Sequence, residues 1–128
     1  MVLLRARQNL AYELLQGKTA DEWRRSAELY ESIVRLRTGA ESDGRVIFPL
    51  AMAHAKLERA DLAEPRLREA LELRIPPRAW VEAAFTLGGL LRRQGREREA
   101  GELFARARQV PGIDPAFLRE LEERVHPK

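Results

Sequence analysis

The sequence of 128 residues contains no cysteine, few aromatic residues (6%) and no long apolar run. Without cysteine, the chain has no disulfide bonds, no thiolate-zinc sites and no thiol nucleophile. The N-terminal segment becomes polar at Arg5, before the apolar run of a signal peptide develops, and no stretch approaches the ~20 apolar residues of a membrane span. We therefore expect a cytoplasmic protein that does not associate with membranes.

The excess of positive over negative charge is also small. Lys and Arg number 23 and Asp and Glu number 20, which gives a net charge of +3 at pH 7. Most of the cations are arginines, which never titrate in the accessible pH range. A surplus this small is a weak argument for nucleic-acid binding.

Residues that could carry catalysis are scarce. Ser42, Asp43 and His54 include the residue types of a catalytic triad, but Ser42 and Asp43 are better placed to cap a helix. Gly88-Gly89 lacks the preceding strand and the lysine of a phosphate-binding loop. We therefore expect no enzymatic activity, no catalytic residue and no cofactor.

The two histidines offer one weak metal-binding pattern. His54 and Glu58 have the i, i+4 spacing of two ligands on one helix, and a third ligand would have to come from elsewhere, with His126 near the far terminus. The simpler interpretation is a packed or hydrogen-bonded histidine. We expect no metal site.

β-Branched residues are also few, whereas Ala, Leu, Arg and Glu dominate, and no apolar alternation of period two persists. Breaks that contain glycine or proline divide the chain into predicted helices. These span approximately residues 2–16, 20–37, 45–58, 61–74, 78–94, 96–109 and 115–126. The sequence predicts an all-α fold without a sheet.

Local signals mark several helix starts. Thr19 precedes Glu22 at capping-box spacing, Asp114-Pro115 combines an N-cap with a first-turn proline, and Pro77 is also suited to a first turn. Pro49 would be costly inside a helix, so we place it in the first turn of the third helix, which then begins no earlier than about residue 45.

The helical hairpins repeat, and the pattern on their second helices recurs every 37 residues. Small, large and small residues recur on the second helix of each hairpin, at one face of that helix. These positions are Ser26, Tyr30 and Ile33, then Ala63, Leu67 and Ala70, then Ala100, Phe104 and Ala107. The first helices match as Leu10-Ala11, Leu50-Ala51 and Leu87-Gly88.

This pattern resembles the tetratricopeptide repeat (TPR) family, most plainly in the third unit. There the family's small and large positions hold Leu87, Gly88, Leu91, Gly95, Ala100, Phe104, Ala107 and Pro111. The second unit replaces the turn glycine with Glu58 and the usual aromatic with His54, and the first unit has a longer turn. The resemblance implies a right-handed superhelix of three hairpins, approximately residues 2–37, 45–74 and 78–109, in a single domain 1–128.

The last predicted helix, 115–126, carries an apolar stripe at Phe117, Leu118, Leu121 and Val125. It is interpreted as a helix that caps the third hairpin, because the terminal unit of a solenoid otherwise exposes an apolar face. The alternative is a dimerisation helix. Val2, Leu3 and Leu4 make the first helix the other candidate for self-association.

The family resemblance implies a concave groove lined by the first helix of each hairpin. The positions carried over are Arg5, Gln8, Tyr12, Leu15, Gln16, Arg45, Phe48, Met52, Ala55, Lys56, Glu82, Phe85, Gly89, Arg92 and Arg93. Five cations against one acid, interleaved with apolar residues, favour an acidic peptide or helix with apolar anchors. Met52 is expected to face solvent and contact the ligand, whereas Phe48 and Phe85 could either pack or bind.

The expected function is a non-enzymatic protein-interaction module or scaffold. The carboxylate clamp of some family members is not expected, because its positions hold Gln8, Tyr12, Glu82 and Thr86. Two alternatives stay open: a basic helical repeat that binds nucleic acid, and a structural subunit that assembles with itself through its first or last helix.

Overall fold

Seven α-helices follow one another in the computed structural model, which describes residues 2–125. They are α1 Val2–Leu15, α2 Ala20–Leu36, α3 Gly44–Lys56, α4 Ala60–Glu72, α5 Pro77–Arg93, α6 Glu97–Arg108 and α7 Pro115–Val125. A single 3-10 turn, Ala40–Ser42, precedes α3, and residues 2–125 contain no strand. The predicted all-α fold is confirmed, and each helix end within these residues lies within two positions of its prediction.

None of the helices within that range is both long enough and apolar enough to cross a membrane.

The predicted capping signals are confirmed. The Thr19 hydroxyl accepts a hydrogen bond from the Glu22 backbone N–H (3.2 Å), and the Glu22 carboxylate accepts one from the Thr19 N–H (3.2 Å). Asp43 caps α3 by accepting from the Arg45 N–H (2.9 Å). Pro77 is the first residue of α5. Local chemistry therefore fixes where these helices begin.

The placement of Pro49 was wrong. Helix α3 begins at Gly44, so Pro49 is its sixth residue and lies beyond the first turn, where it removes one backbone hydrogen bond. Pro65 holds the same sixth place in α4. Pro49 is buried, and the packing of its ring offsets part of the lost bond.

Consecutive helices pack as three hairpins, α1 with α2, α3 with α4 and α5 with α6, and each hairpin packs on the next through α2–α3 and α4–α5. All nine positions of the predicted 37-residue pattern on the second helices are buried. The turns within the second and third hairpins also match. Glu58, between α3 and α4, has a φ of 57°, and Gly95, 37 residues later between α5 and α6, has a φ of 79°. Glu58 thus adopts the left-handed conformation that glycine adopts more easily.

Gly88 lets α5 approach α6 closely. A Cβ atom at this position would clash with the ring of Phe104, and that ring lies 5.2 Å from the ring of Phe85, centroid to centroid. The absence of a side chain at Gly88 thus permits this close packing. The third hairpin is therefore held by an aromatic pair over a residue without a side chain.

Helix α7 packs on α5. Phe117 and Leu121 are buried, and the Arg78 guanidinium lies 4.2 Å from the centre of the Phe117 ring. At the other end of α7, Val125 lies against Gly89, where an added Cβ would come within 3.0 Å of its Cγ1. The apolar stripe predicted for the last helix thus faces the third hairpin.

Ion pairs tie the second helices together. Arg66 on α4 pairs with Glu31 on α2 (2.8 Å), and Glu64 on α4 pairs with Arg96 (3.1 Å), the residue before α6. Arg68 also reaches Glu99 on α6 (3.1 Å). These contacts span 31 to 35 residues of sequence and join each hairpin to the next.

Gly88→Ala is expected to lower the free energy of unfolding by about 1–3 kcal/mol, because the new methyl group must displace the packed Phe104 ring. Gly101→Ala is the matched control, since an added Cβ there meets no atom within 4 Å. It should stabilise α6 by about 0.5–1 kcal/mol. Urea unfolding of both variants checks the pair, and equal stabilities would contradict the proposed packing role of Gly88.

Candidate binding groove

A groove of about 1680 Å³ runs along the first helices of the three hairpins. Its walls come from residues spaced three or four apart, which share one face of each helix. On α1 these are Gln8, Tyr12, Leu15 and Gln16, on α3 they are Arg45, Phe48, Met52, Ala55 and Lys56, and on α5 they are Arg78, Glu82, Thr86, Gly89 and Arg93. The groove therefore follows the three helices that the family resemblance assigned to it.

Twelve of the fifteen positions carried over from the family resemblance line this groove: Gln8, Tyr12, Leu15, Gln16, Arg45, Phe48, Met52, Ala55, Lys56, Glu82, Gly89 and Arg93. Arg5, Phe85 and Arg92 do not line it. Phe85 is fully buried between α5 and α6, where it packs on Phe104. Phe85 could either pack or contact the ligand, and in the structure it packs in the core.

The expected exposure of Met52 was also wrong. Met52 is only 8% exposed and forms part of the floor of the groove, with half-buried Phe48 beside it. Tyr12, in contrast, is 57% exposed on the groove wall. Tyr12 is therefore a large aromatic side chain of the groove that is still open to solvent.

Positive side chains outnumber negative ones along the groove. The lining includes seven cations, Arg37, Arg45, Lys56, Arg74, Arg78, Arg93 and Arg124, and three acids, Glu13, Asp43 and Glu82. Asp43 pairs with Arg37 and Arg45, and Glu82 pairs with Arg124 (3.5 Å). Arg74 and Arg93 form no ion pair with any residue from 2 to 125.

The pKa of the Asp43 carboxyl group lies below its ordinary value. Partial burial by itself would raise the pKa of the carboxyl group, but hydrogen bonds from Arg37 and from the backbone and side chain of Arg45 outweigh it and lower the pKa. The Asp43 carboxylate therefore stays ionised at neutral pH and remains paired with Arg37.

Several lining residues were missed at the sequence level because they lie in connections or on α7. Arg37, Gly39 and Ser42 come from the α2–α3 connection, Arg74, Ile75 and Pro76 from the α4–α5 connection, and Arg124 and Val125 from the last turn of α7. The repeat pattern describes positions on the helices of the hairpins, so it does not place residues of these connections. Arg124 and Val125 close the third-hairpin end of the groove over Glu82 and Gly89.

His54 lies outside the groove and is buried, with no hydrogen-bond partner for either ring nitrogen among the described residues. Its Nε2 lies 3.9 Å from Oε2 of Glu31, whose other oxygen accepts from Arg66 (2.8 Å). Burial lowers the pKa of His54, and Arg59 and Arg66 lower it further, against the opposing effect of Glu31. His54 is therefore neutral at pH 7.

A cluster of three or more histidine and carboxylate side chains that could hold a metal ion does not occur among residues 2–125. His126, the third ligand considered from sequence, lies outside the described residues.

In comparisons with known proteins, no protein-family model, no curated protein and no solved structure matches this chain.

Met52→Glu is expected to lower the free energy of unfolding by about 2 kcal/mol or more, because the carboxylate would replace a thioether that is 92% removed from solvent. Tyr12→Glu, at the exposed wall of the same groove, is the control and should cost less than about 1 kcal/mol. Thermal unfolding measures both. Equal stability of the Met52→Glu protein and the wild type would mean that the floor of the groove is open to water.

The stability of the protein is expected to fall as the pH decreases from about 7 to about 5. An unfolded histidine has a pKa near 6.5, and the pKa of His54 is lower in the folded protein, so the unfolded chain binds the extra proton first as the pH falls. His54→Leu should flatten this dependence of Tm on pH. An unchanged slope in His54→Leu would contradict the assignment.

Proposed function

We propose that the chain is a tetratricopeptide-like module whose three hairpins form a right-handed superhelix, with α7 as its C-terminal cap. The buried 37-residue pattern on α2, α4 and α6 supports this proposal, as do the matching left-handed turns at Glu58 and Gly95. The pairing of each second helix with the first helix of the next hairpin fits the same architecture.

We further propose that the module is non-enzymatic and binds a protein partner in its groove. The ligand is an acidic peptide or helix with one or two apolar side chains. A single observation carries this proposal: the groove combines a surplus of four cations with a partly open apolar wall at Tyr12 and Phe48. The proposal places this interaction in the cytoplasm.

Each group has a distinct part in the proposed binding. Arg74 and Arg93 have no carboxylate partner among the described residues, so a ligand carboxylate replaces only water around them. Tyr12 and Phe48 supply apolar contact area. The arginines set the orientation and the association rate, and the apolar contacts hold the complex once it has formed.

Two arginines near the start of α6, Arg96 and Arg98, support this choice over nucleic-acid binding. Arg96 pairs with Glu64 and Glu99, and Arg98 lies 3.8 Å from Glu102. A phosphate backbone would have to compete with these carboxylates for the guanidinium groups. Arg74 and Arg93, which have no carboxylate partner among the described residues, lie in the groove beside apolar residues.

Selection of a random peptide library on the wild-type protein tests the proposal. We expect the enriched peptides to be acidic and to contain one or two large apolar residues. The strongest of them, labelled with fluorescein, is then titrated by fluorescence anisotropy. Arg74→Glu combined with Arg93→Glu should weaken its binding by about tenfold or more, because two attractive contacts become repulsive.

The matched control combines Arg35→Glu with Arg119→Glu, which changes the net charge equally at exposed arginines outside the groove. It should change affinity by less than about threefold. Tyr12→Ala should weaken binding even at high salt, because salt does not screen apolar contacts. Failure to enrich acidic peptides would overturn the proposal. So would tighter binding of a single-stranded oligonucleotide that is insensitive to Tyr12→Ala.

A further inference from the structure

The outer side of the first hairpin exposes leucines on both of its helices. Leu3 is 76% exposed and Leu10 is 42% exposed on α1, while Leu36 is 61% exposed and Leu29 is half-buried on α2. Each pair is spaced by seven residues, so its two members lie on the same face of their helix. Together they form a two-helix apolar surface, which we call the leucine face.

This face is turned away from the rest of the protein. The side of α2 that packs on α3 carries Trp23, whose ring lies 5.3 Å from the Lys56 ammonium, and Glu31, which approaches His54. Leu29 lies two residues, about 200° of helical rotation, from Glu31. Between α1 and α2 the leucine face contains a shallow depression of about 380 Å³, lined by Arg7, Leu10, Arg25, Glu28, Leu29 and Ser32.

Charges of both signs border the leucines. Arg7 and Arg25 supply positive charge and Glu28 supplies negative charge beside the same depression. Arg7 and Glu28 form no ion pair with any other residue in the part of the chain that the structure describes. In a two-fold symmetric contact, each patch meets a copy of itself, so a patch that carries both signs offers each charge an opposite partner.

The opposite end of the protein has a different character. Helix α7 buries Phe117 and Leu121 against the third hairpin and exposes Arg119, Glu120 and Glu123. A leucine face laid on this charged surface would bury polar groups without apolar compensation. Head-to-tail stacking of copies is therefore disfavoured, and a second leucine face is the better complement.

We propose that two copies of this chain associate through their leucine faces, with α1 and α2 of one copy packed on α1 and α2 of the other about a two-fold axis. The helices have 14 and 17 residues, so the contact covers on the order of 500 Å² per copy. Stable interfaces bury about 800 Å² per partner, so this contact lies at the small end of the range and we expect a weak dimer. The inference is independent of the groove and of its ligand.

Sedimentation velocity of the full chain, from low micromolar to near millimolar concentration, tests the proposal. The wild type should shift from monomer towards dimer as its concentration rises. Leu10→Glu and Leu36→Glu should each remain monomeric at concentrations where the wild type is mostly dimer. Leu62→Glu is the matched control, because Leu62 on α4 is 41% exposed but lies outside the leucine face. It should dimerise like the wild type, and circular dichroism verifies that each variant is folded.

A charge exchange identifies the second copy as the occupant. Arg25→Glu and Glu28→Arg should each weaken self-association, because like charges then meet across the two-fold axis. Mixing the two variants should restore a dimer, since each charge changed in one chain then faces an opposite charge in the other.

A wild type that stays monomeric at every concentration would overturn the proposal, as would a dimer that survives both Leu10→Glu and Leu36→Glu. Equal weakening by Leu62→Glu, or no recovery in the mixture of charge variants, would also overturn it. Peptide capture by the groove does not depend on any of these outcomes, so the two proposals fail separately.

Discussion

The packing of Phe104 over Gly88 is the contact on which the candidate site depends most. It brings α5 against α6 and holds the Phe85 ring 5.2 Å from that of Phe104. One face of α5 is buried against α6. The other face lines the groove with Glu82 and Gly89 and contacts α7. A side chain at position 88 would separate the two helices and move the groove wall with them.

The helices and their hairpin pattern were predictable because their signals are local. Capping residues, turn glycines and apolar spacing act within a few residues. Because the pattern recurs in three hairpins, each of these signals is seen three times in the sequence. The burial of Phe48 and Phe85 could not be predicted in this way. They occupy equivalent repeat positions, yet Phe85 packs on Phe104 whereas the residue equivalent to Phe104 in the second hairpin is Leu67. The identity of a distant neighbour decides which of the two aromatics is buried.

The distribution of charge was less predictable than the fold for the same reason. Arg66 and Arg96 meet glutamates more than 30 residues away, which neutralises the side formed by the second helices. Arg74 and Arg93 have no such partner among the described residues and remain available in the groove. The net charge of +3 does not reveal this uneven distribution. The groove is strongly positive, whereas positive and negative side chains are nearly equal in number on the paired surface.

Both proposed interaction surfaces use α1, but from opposite sides of the helix. Tyr12 faces the groove and Leu10, two residues and about 200° away, belongs to the leucine face. Association through the leucine faces thus leaves both grooves open, and the dimer presents two of them. A partner with two acidic segments would bind such a dimer more tightly than a monomer, because its second segment binds at a high effective concentration. The weak dimer contact would then be strengthened by the ligand itself, since each bridging partner holds two copies together.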